Sequence, residues 1–326
     1  MRVIDMHCDT IERLYGLQDR GERSVLRSNS LHVDLMRMKG SGYLLQNFAL
    51  FVQLRRDGDP WERVCRLHEF YEQEMEMSRD LIAPVHCFSD IAENERAGRM
   101  SALLTVEEGA VCKGELSKLR ELYRWGVRMM TLTWNYPNEL GWPNITKGQS
   151  HYEPNLTGGL TERGKEFVAE MESLGMIPDV SHLSDAGFYD VLAVTKKPFV
   201  ASHSNARAVC PWVRNMTDDM IRKLAERGGV MGLNFCADFL EKVPEGQENP
   251  GTIAAVVRHA KHIAGVGGID VLGLGSDFDG IDTHRELPGA QSMPALWEAL
   301  KSAGFTESEL DRIFCENVLR VYRETL

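Results

Sequence analysis

The sequence opens with Val3-Ile4-Asp5-Met6-His7-Cys8-Asp9-Thr10, a short apolar run that leads directly into a histidine and an aspartate. In an extended strand, residues i and i+2 point to the same side. His7 and Asp9 can therefore direct one imidazole and one carboxylate at a common point, as a pair of metal ligands would. The same pattern also arises by chance, and His7 would then be a surface histidine beside a helix-capping Asp9. The rest of the chain has to decide between these two interpretations.

Seven further apolar runs follow, each separated from the next by a stretch with helical signals. Together with the first they make eight predicted strands, at residues 3–6, 43–51, 101–106, 128–132, 176–180, 199–202, 230–235 and 271–275. Near-continuous apolar runs are typical of parallel strands that are covered on both faces. We predict helices at 61–82, 253–266, 295–302 and 307–322, and two more that begin after Thr161 and Thr217.

Strands that alternate with helices eight times predict an α/β fold of the (β/α)8 type, a TIM barrel. The length of 326 residues suits one large domain or two ordinary ones, and we predict a single barrel domain over residues 1–326. An open, doubly wound sheet is the alternative. No Gly-x-Gly-x-x-Gly motif follows the first strand, which disfavours that alternative.

Charge and composition limit the partners of this chain. It has 37 basic and 48 acidic residues, a formal net charge of −11, which argues against nucleic acid or an anionic membrane surface. No apolar run approaches the ~20 residues needed to span a bilayer. The N-terminus also lacks the basic and then apolar pattern of a secretory signal. We therefore predict a soluble, cytoplasmic protein that does not act at a membrane.

The C-terminal ends of the predicted strands carry most of the residues that could perform chemistry. In a barrel these ends converge on one mouth. They hold three histidines, several carboxylates and amides and one tryptophan: His7, Asp9, Glu107, Glu108, Trp134, Asn135, His182, His203, Asn234, Asp277 and Asp279. Taken singly, each has an ordinary explanation as a core histidine, a helix-start acid or a turn residue. Taken together, so many buried imidazoles and carboxylates would cost several kcal/mol unless cations compensate them.

The ligand types indicate which cations would fit. Imidazole with carboxylate and without thiolate suits zinc, with manganese or iron as substitutes. Two metal ions held ~3.5–4 Å apart need a bridging anion, and a glutamate at a strand end can serve. Many barrel hydrolases with two metals use a carboxylated lysine at the end of strand four. Strand four of this chain offers no lysine, so a bridging glutamate is the simpler hypothesis.

Several motifs in a fixed order resemble a known family. They are Ile4-Asp5-Met6-His7-Cys8-Asp9, Val106-Glu107-Glu108-Gly109, Asp179-Val180-Ser181-His182, Ser202-His203-Ser204, Arg214-Asn215 and Gly275-Ser276-Asp277-Phe278-Asp279-Gly280. As a set they resemble the membrane (renal) dipeptidase family of binuclear zinc metallopeptidases. The resemblance extends almost from end to end, from residue 3 to the Glu316-Asn317-Val318-Leu319-Arg320-Val321 segment.

The resemblance implies two zinc ions, with Mn or Fe as possible replacements. His7 and Asp9 would bind one ion, and His182 and His203 would bind the other. Glu107 would bridge the two, because the neighbouring Glu108 stands where the family often has glycine. The implied reaction is hydrolysis of a small dipeptide, in which a hydroxide that bridges the metals attacks the scissile carbonyl.

The resemblance also implies residues that contact the substrate. Arg214 would hold the carboxylate of the dipeptide, and Asp277 would act catalytically by holding the amine or relaying protons. One position departs from the family: the mammalian enzymes have a histidine, which contacts the scissile carbonyl oxygen, where this chain has Trp134. An indole donates one hydrogen bond but carries no charge. Asn135, or His151 from the long loop at 135–159, is a candidate for the missing role.

Two other functions remain open at this point. A metal-dependent hydrolase of other small amides or lactones would use the same chemistry. A catalytically degenerate module that binds metal without turnover is the alternative from another class, and Trp134 is the feature that favours it. The resemblance further implies a possible homodimer. The mammalian members are secreted and lipid-anchored, and this sequence shows neither signal.

Overall fold

The computed structural model describes residues 1–145, 150–244 and 246–326. Within these ranges, nine parallel strands form one sheet: β1 (Val3–Asp5), β2 (Tyr43–Phe51), β3 (Ile82–Pro84), β4 (Met100–Glu107), β5 (Val127–Thr131), β6 (Ile177–Asp179), β7 (Val200–Ala201), β8 (Val230–Leu233) and β9 (Leu272–Leu274). Neighbouring strands pair in the order β2-β1-β9-β8-β7-β6-β5-β4, and β2 also pairs with β4. Eight strands therefore close on themselves, which confirms the (β/α)8 barrel and excludes the open sheet.

The remaining strand, β3, was not predicted. It pairs with β4 alone, opposite Met100 to Ala102, along the same edge of β4 that β5 joins further on, from Leu104 to Glu107. The other edge of β4 is paired with β2. The sequence predicted one helix over 61–82, because the apolar spacing continues through Leu81 and Ile82. The helix instead stops at Met77 and is capped by Ser78. Ile82, the last apolar residue of the pattern, therefore begins β3 and does not pack on a helix face.

Helices follow the barrel strands and surround the sheet. They are α1 (Thr10–Asp19), α2 (Leu35–Gly40), α3 (Pro60–Met77), α4 (Phe88–Arg96), α5 (Leu116–Arg124), α6 (Glu162–Leu174), α7 (Asp185–Val194), α8 (Asp218–Glu226), α9 (Ala237–Leu240), α10 (Ile253–Gly267), α11 (Met293–Ser302), α12 (Glu307–Asp311) and α13 (Asn317–Thr325). Thr161 and Thr217 cap α6 and α8, as predicted, by accepting hydrogen bonds from backbone N–H groups. A π-helical turn, Arg312–Glu316, joins α12 to α13.

The interior of the barrel is filled at one end, which leaves the other end for a site. A buried apolar cluster combines side chains from seven barrel strands with those of α13: Ile4, Leu45, Leu103, Met129, Ile177, Val200, Val230, Val318 and Tyr322. Side chains from so many strands meet only inside a closed barrel. The Tyr322 hydroxyl also donates to the Asn47 side chain at 2.8 Å. The final helix thus closes the end of the barrel opposite the predicted metal ligands.

Among the helices in the described part of the chain, none is both long enough and apolar enough to cross a membrane. The cytoplasmic location stays a prediction, and so does the assignment of residues 1–326 to one domain. Residues 146–149 of the long loop at 135–159 lie outside the described residues.

Candidate active site

A cavity of about 380 Å³ opens where the barrel strands end. Seven residues that the sequence singled out are among those that line it: Asp9, Glu107, Trp134, Asn135, His182, Asp277 and Asp279. His7 and His203 lie against this group and are almost fully buried. The convergence of side chains from separate strands on one mouth is the arrangement expected of an active site in this fold.

Glu107, at the end of β4, lies at the centre of the polar cluster. Its Oε2 atom is 3.4 Å from His7 Nε2, and that nitrogen is 3.5 Å from Asp9 Oδ2. Its Oε1 atom faces the other way, 3.0 Å from His182 Nε2 and 3.6 Å from His203 Nε2. One carboxylate therefore belongs to two groups of ligand atoms, each compact enough to hold an ion.

The structure excludes the ordinary interpretation of the first motif. Asp9 occupies the position before α1, yet its side chain makes no capping hydrogen bond to that helix. His7 is buried rather than exposed. Within the described residues, His7 Nε2 and Asp9 Oδ1 are both buried without a hydrogen-bond partner. Leaving such atoms unpaired costs about 1–3 kcal/mol each, and a cation would satisfy both.

The second group of ligand atoms is also arranged so that it could hold a cation. The Nδ1 atom of His182 is 2.9 Å from Asn135 Oδ1, which can only accept, so this nitrogen carries the proton. His182 Nε2 then presents a lone pair to Glu107 Oε1 and, at 3.1 Å, to His203 Nε2. Acceptor atoms that face one another so closely repel unless positive charge lies between them. The donor set of imidazole and carboxylate fits zinc.

Burial and mutual repulsion perturb the titration of the cluster. Burial raises the pKa values of Asp9 and Asp277, and the charge of Glu107 raises both further. Burial alone would lower the pKa of His7, but the charges of Glu107 and Asp9 outweigh it and raise that pKa well above its usual value. Three carboxyl groups share one positively charged imidazole, and their mutual repulsion favours the protonated forms of Asp9 and Asp277. Perturbed groups of this kind are typical of functional sites.

Backbone strain is concentrated around the same cluster. Glu108, His182, Asp277 and Asp279 have φ angles of 101°, 70°, 63° and 69°, in the left-handed region that favours glycine. Each follows the end of a barrel strand by a few residues. Strain of this kind persists where the surrounding structure enforces it, and it is common at functional sites.

Asp277 is held at the edge of the cluster by a neighbour from the adjacent strand. Its Oδ1 atom is 3.8 Å from His7 Nε2. Its Oδ2 atom accepts a hydrogen bond from Asn234 Nδ2 at 2.9 Å. The carboxylate therefore faces the cavity with one oxygen fixed and the other directed at His7, a candidate metal ligand.

Arg214 lies beside the second group of ligands rather than in the main cavity. Its guanidinium donates to the His203 carbonyl at 3.2 Å and to Ser204 Oγ at 3.4 Å, while its buried Nε has no partner among the described residues. A small separate cavity of about 20 Å³ lies between Arg214 and His182, among other residues. Burial lowers the pKa of Arg214. This charge is thus available to an anionic group close to the ligands.

Trp134 replaces the histidine that the family uses, and Asn135 and His151 are the candidates for its role. The structure places these three residues differently. Trp134 is half-buried in the cavity wall, with its ring 5.1 Å from that of Phe51. Asn135 lines the cavity, but its amide oxygen is engaged by His182. His151 is exposed, packs on Trp212 with ring centres 4.5 Å apart, and is not among the described residues that line the cavity. The structure therefore does not bring His151 to the site.

A layer of polar residues beneath the candidate metal ligands was not predicted from the sequence. Asn234 fixes Asp277, and Ser202 contacts His203 Nδ1 at 2.7 Å. Both were visible as polar residues at strand ends. Their partners depend on how neighbouring strands align across the barrel, and that alignment is not readable from one sequence.

The fold and the cluster define a class of protein, the barrel hydrolases that hold metal ions at the strand ends. The sequence model of the membrane dipeptidase family, peptidase family M19, matches residues 1–326. The chain therefore belongs to that family, which confirms the resemblance seen in its motifs. It is a metal-dependent hydrolase of the dipeptidase type.

Individual relatives agree with this assignment. The chain is 34% identical over 350 residues to an uncharacterized dipeptidase of Schizosaccharomyces pombe, a match that covers 99% of this chain and 80% of that one. A crystal structure of an M19 metallopeptidase, dipeptidase AC, has a TM-score of 0.91 at 27% identity and covers 100% of this chain and 98% of that one. A metallopeptidase from Rhodobacter sphaeroides, with a bound phosphinate mimic of the dipeptide L-Ala-D-Ala, has a TM-score of 0.90 at 26% identity, with 100% and 99% covered.

Proposed function

We propose that this protein is a binuclear zinc dipeptidase. His7 and Asp9 would hold one ion, His182 and His203 the other, and Glu107 both. The position of Glu107 carries the proposal, because its two oxygens face two separate groups of ligand atoms. Mn or Fe would suit the same ligands.

Zinc ions at these positions would polarise the scissile carbonyl and make water acidic enough to attack it at neutral pH. The side chains of the chain would orient the substrate and move the protons. Asp277, fixed by Asn234, faces the ligands, and burial raises its pKa toward neutrality, to about 6. A carboxyl group tuned in this way suits a general base that accepts the proton of the attacking water and returns it to the leaving amine.

Arg214 is the candidate for binding the carboxylate of the dipeptide. Its guanidinium is buried, and its Nε lacks a partner among the described residues, so it can donate to an incoming anion. A charge-assisted hydrogen bond of this kind is about twice as strong as a neutral one. Recognition of the carboxylate near the ligands would favour substrates that end one residue after the scissile bond.

The size of the cavity also supports a short substrate. Its volume of about 380 Å³ lies near the lower end of the ~300–1,000 Å³ typical of ligand sites. Trp134 and Phe51 give one wall an apolar aromatic surface. The R. sphaeroides relative binds a mimic of L-Ala-D-Ala in its crystal structure, which supports dipeptides of small residues as substrates here.

The proposal is tested by supplying zinc or manganese to the purified protein and measuring amino acids released from a panel of L,L- and L,D-dipeptides. We expect release from at least one dipeptide, and an N-acylated amino acid without a free amine should remain intact. Hydrolysis of the N-acylated compound would favour a hydrolase of other small amides or lactones. No release from any dipeptide would contradict the proposal.

A metal-binding module without turnover is the second candidate. Trp134 favours this candidate, because it stands where the family has a histidine. Among the described residues that line the cavity, His182 alone carries an imidazole, and it is already a candidate ligand. Two bound zinc ions without hydrolysis of any substrate would support this candidate. The homodimer stays a prediction.

A further inference from the structure

Beneath the ligand histidines lies a buried carboxylate, Asp179, at the end of β6. It accepts four hydrogen bonds. Its Oδ1 accepts from the backbone N–H groups of Ser181 at 3.0 Å and Ser202 at 2.8 Å. Its Oδ2 accepts from the hydroxyls of Thr131 and Ser202, both at 2.6 Å. With four donors directed at its two oxygens, this side chain acts only as a hydrogen-bond acceptor.

The hydroxyl of Ser202 connects this carboxylate to a metal ligand. Because the Ser202 proton points to Asp179, the Ser202 oxygen can only accept from its other close neighbour, His203 Nδ1, at 2.7 Å. Ser181 Oγ lies farther from this oxygen, at 3.4 Å, and accepts from the backbone N–H of His203. His203 Nδ1 must therefore carry the imidazole proton. His203 Nε2, which faces Glu107 and His182, is left with its lone pair.

We propose that Asp179 and Ser202 are positioning residues that hold His203 in the one tautomer able to bind metal through Nε2. The inference rests on the metal site of the proposed function but not on dipeptide hydrolysis. Partners that orient a metal-bound imidazole in this way are worth about 10–100-fold in metal affinity.

Replacing Asp179 by asparagine should reverse the chain of hydrogen bonds. The two backbone N–H donors require the amide oxygen at the position of Oδ1. The amide nitrogen then faces the Ser202 hydroxyl and donates to it. The Ser202 proton has to turn to His203 Nδ1, the closest remaining acceptor, at 2.7 Å. His203 is thereby driven into the tautomer with its proton on Nε2, which leaves that nitrogen without a lone pair for a metal.

The barrel contains a matched control for this substitution. Asp5, at the end of β1, accepts from the backbone N–H of Ser276 at 2.8 Å and from its hydroxyl at 2.6 Å. This pair is as deeply buried as Asp179 and Ser202. The Ser276 hydroxyl contacts no imidazole nitrogen within the described residues; its other neighbours are backbone groups of His7 and Phe278. Asp5→Asn therefore disturbs an equivalent pair without redirecting a histidine proton.

The test reads the proton position directly, in metal-free protein labelled with ¹⁵N-histidine. Two-bond ¹H–¹⁵N correlation spectra distinguish the tautomers, and a His203→Gln variant assigns the signal. We expect the proton on Nδ1 in the wild type and in Asp5→Asn, and on Nε2 in Asp179→Asn. Competition with a chelator should show zinc affinity about 10–100-fold weaker in Asp179→Asn and unchanged in Asp5→Asn.

A proton on Nε2 of His203 in the wild type would overturn the proposal whether or not any variant folds. An unchanged tautomer in folded Asp179→Asn would overturn it as well. If Asp179→Asn does not fold, Ser202→Ala provides the second variant: it removes the acceptor, and the strict preference for Nδ1–H should be lost. A protein that shows these tautomers yet releases no amino acids would contradict only the proposed dipeptidase function.

Discussion

Replacing Gly280 by alanine would place a methyl group inside the candidate metal site. A Cβ atom at Gly280 would lie 2.1 Å from Asp9 Oδ2 and 2.7 Å from Asp277 Oδ1, whereas ordinary contacts begin at 3.4 Å. The φ angle of Gly280 lies outside the left-handed region, so alanine fits the backbone. The Asp9 carboxylate would have to move by about 1.3 Å to restore an ordinary distance.

That displacement is large for a metal ligand. Zinc–oxygen bonds are ~2.0–2.2 Å long, and a designed or natural site tolerates deviations of about 0.2 Å. We therefore expect Gly280→Ala to weaken zinc binding at the His7 and Asp9 position. Activity should fall about 100-fold, the scale expected for a 1 Å misplacement of a reacting group. Stability of the metal-free protein should fall by about 1–3 kcal/mol, as for other overpacked sites.

Zinc content after dialysis, dipeptide hydrolysis and urea unfolding of the metal-free protein measure these three effects. Gly265→Ala is the control, because Gly265 lies exposed on α10 and a Cβ there meets nothing within 4 Å. It should leave zinc content and activity unchanged and stabilise the helix by about 0.5–1 kcal/mol. Normal zinc content and activity in Gly280→Ala would refute the placement of Asp9 as a metal ligand.

Three further predictions concern acid stability, substrate binding and catalysis. His259 accepts a hydrogen bond from the backbone N–H of Ala206 through Nδ1, and burial lowers the pKa of its imidazole to about 4. Neutral His259 therefore stabilises the fold fully above pH 6.5, and this stabilisation is lost as the pH falls through 4. Urea unfolding should show that the free energy of unfolding falls by on the order of 3 kcal/mol over this range, and His259→Gln should make that pH dependence weaker. Arg214→Lys should raise KM for dipeptides about tenfold or more with a smaller change in kcat, because lysine cannot reproduce the guanidinium contact; an unchanged KM would exclude Arg214 from substrate binding. Asp277→Asn should lower kcat about 100-fold or more at unchanged zinc content, and a normal kcat would exclude Asp277 as the general base.

The barrel was predictable because its strands are buried on both faces and therefore read as nearly continuous apolar runs. His7 and Asp9 lie just beyond β1, on either side of the isolated bridge between Cys8 and Phe278, and their spacing still indicated that they face a common point. β3 was not predicted because the helical spacing continues through Leu81 and Ile82, the first residue of this strand of three residues. Where a strand is this short, the sheet partner rather than the local sequence decides the conformation.

The candidate ligands could be named from the sequence because each stands at a strand end, where the fold alone brings them together. The contacts of Asn135 and His151 could not be derived in this way. Both lie in the long loop after β5, whose course depends on packing rather than on a repeating pattern. The hydrogen bonds of Asp179 were hidden for a related reason, because they cross from β6 to its neighbours.

Titration of metal-free protein with zinc, while hydrolysis of a dipeptide is followed, tests the two-metal dipeptidase most directly. Chelated protein should be inactive, bound zinc should rise to two ions per chain, and activity should reach its maximum only as the second ion binds. Full activity in the chelated protein, or maximal activity with a single bound ion, would contradict a site in which Glu107 is shared between two metals.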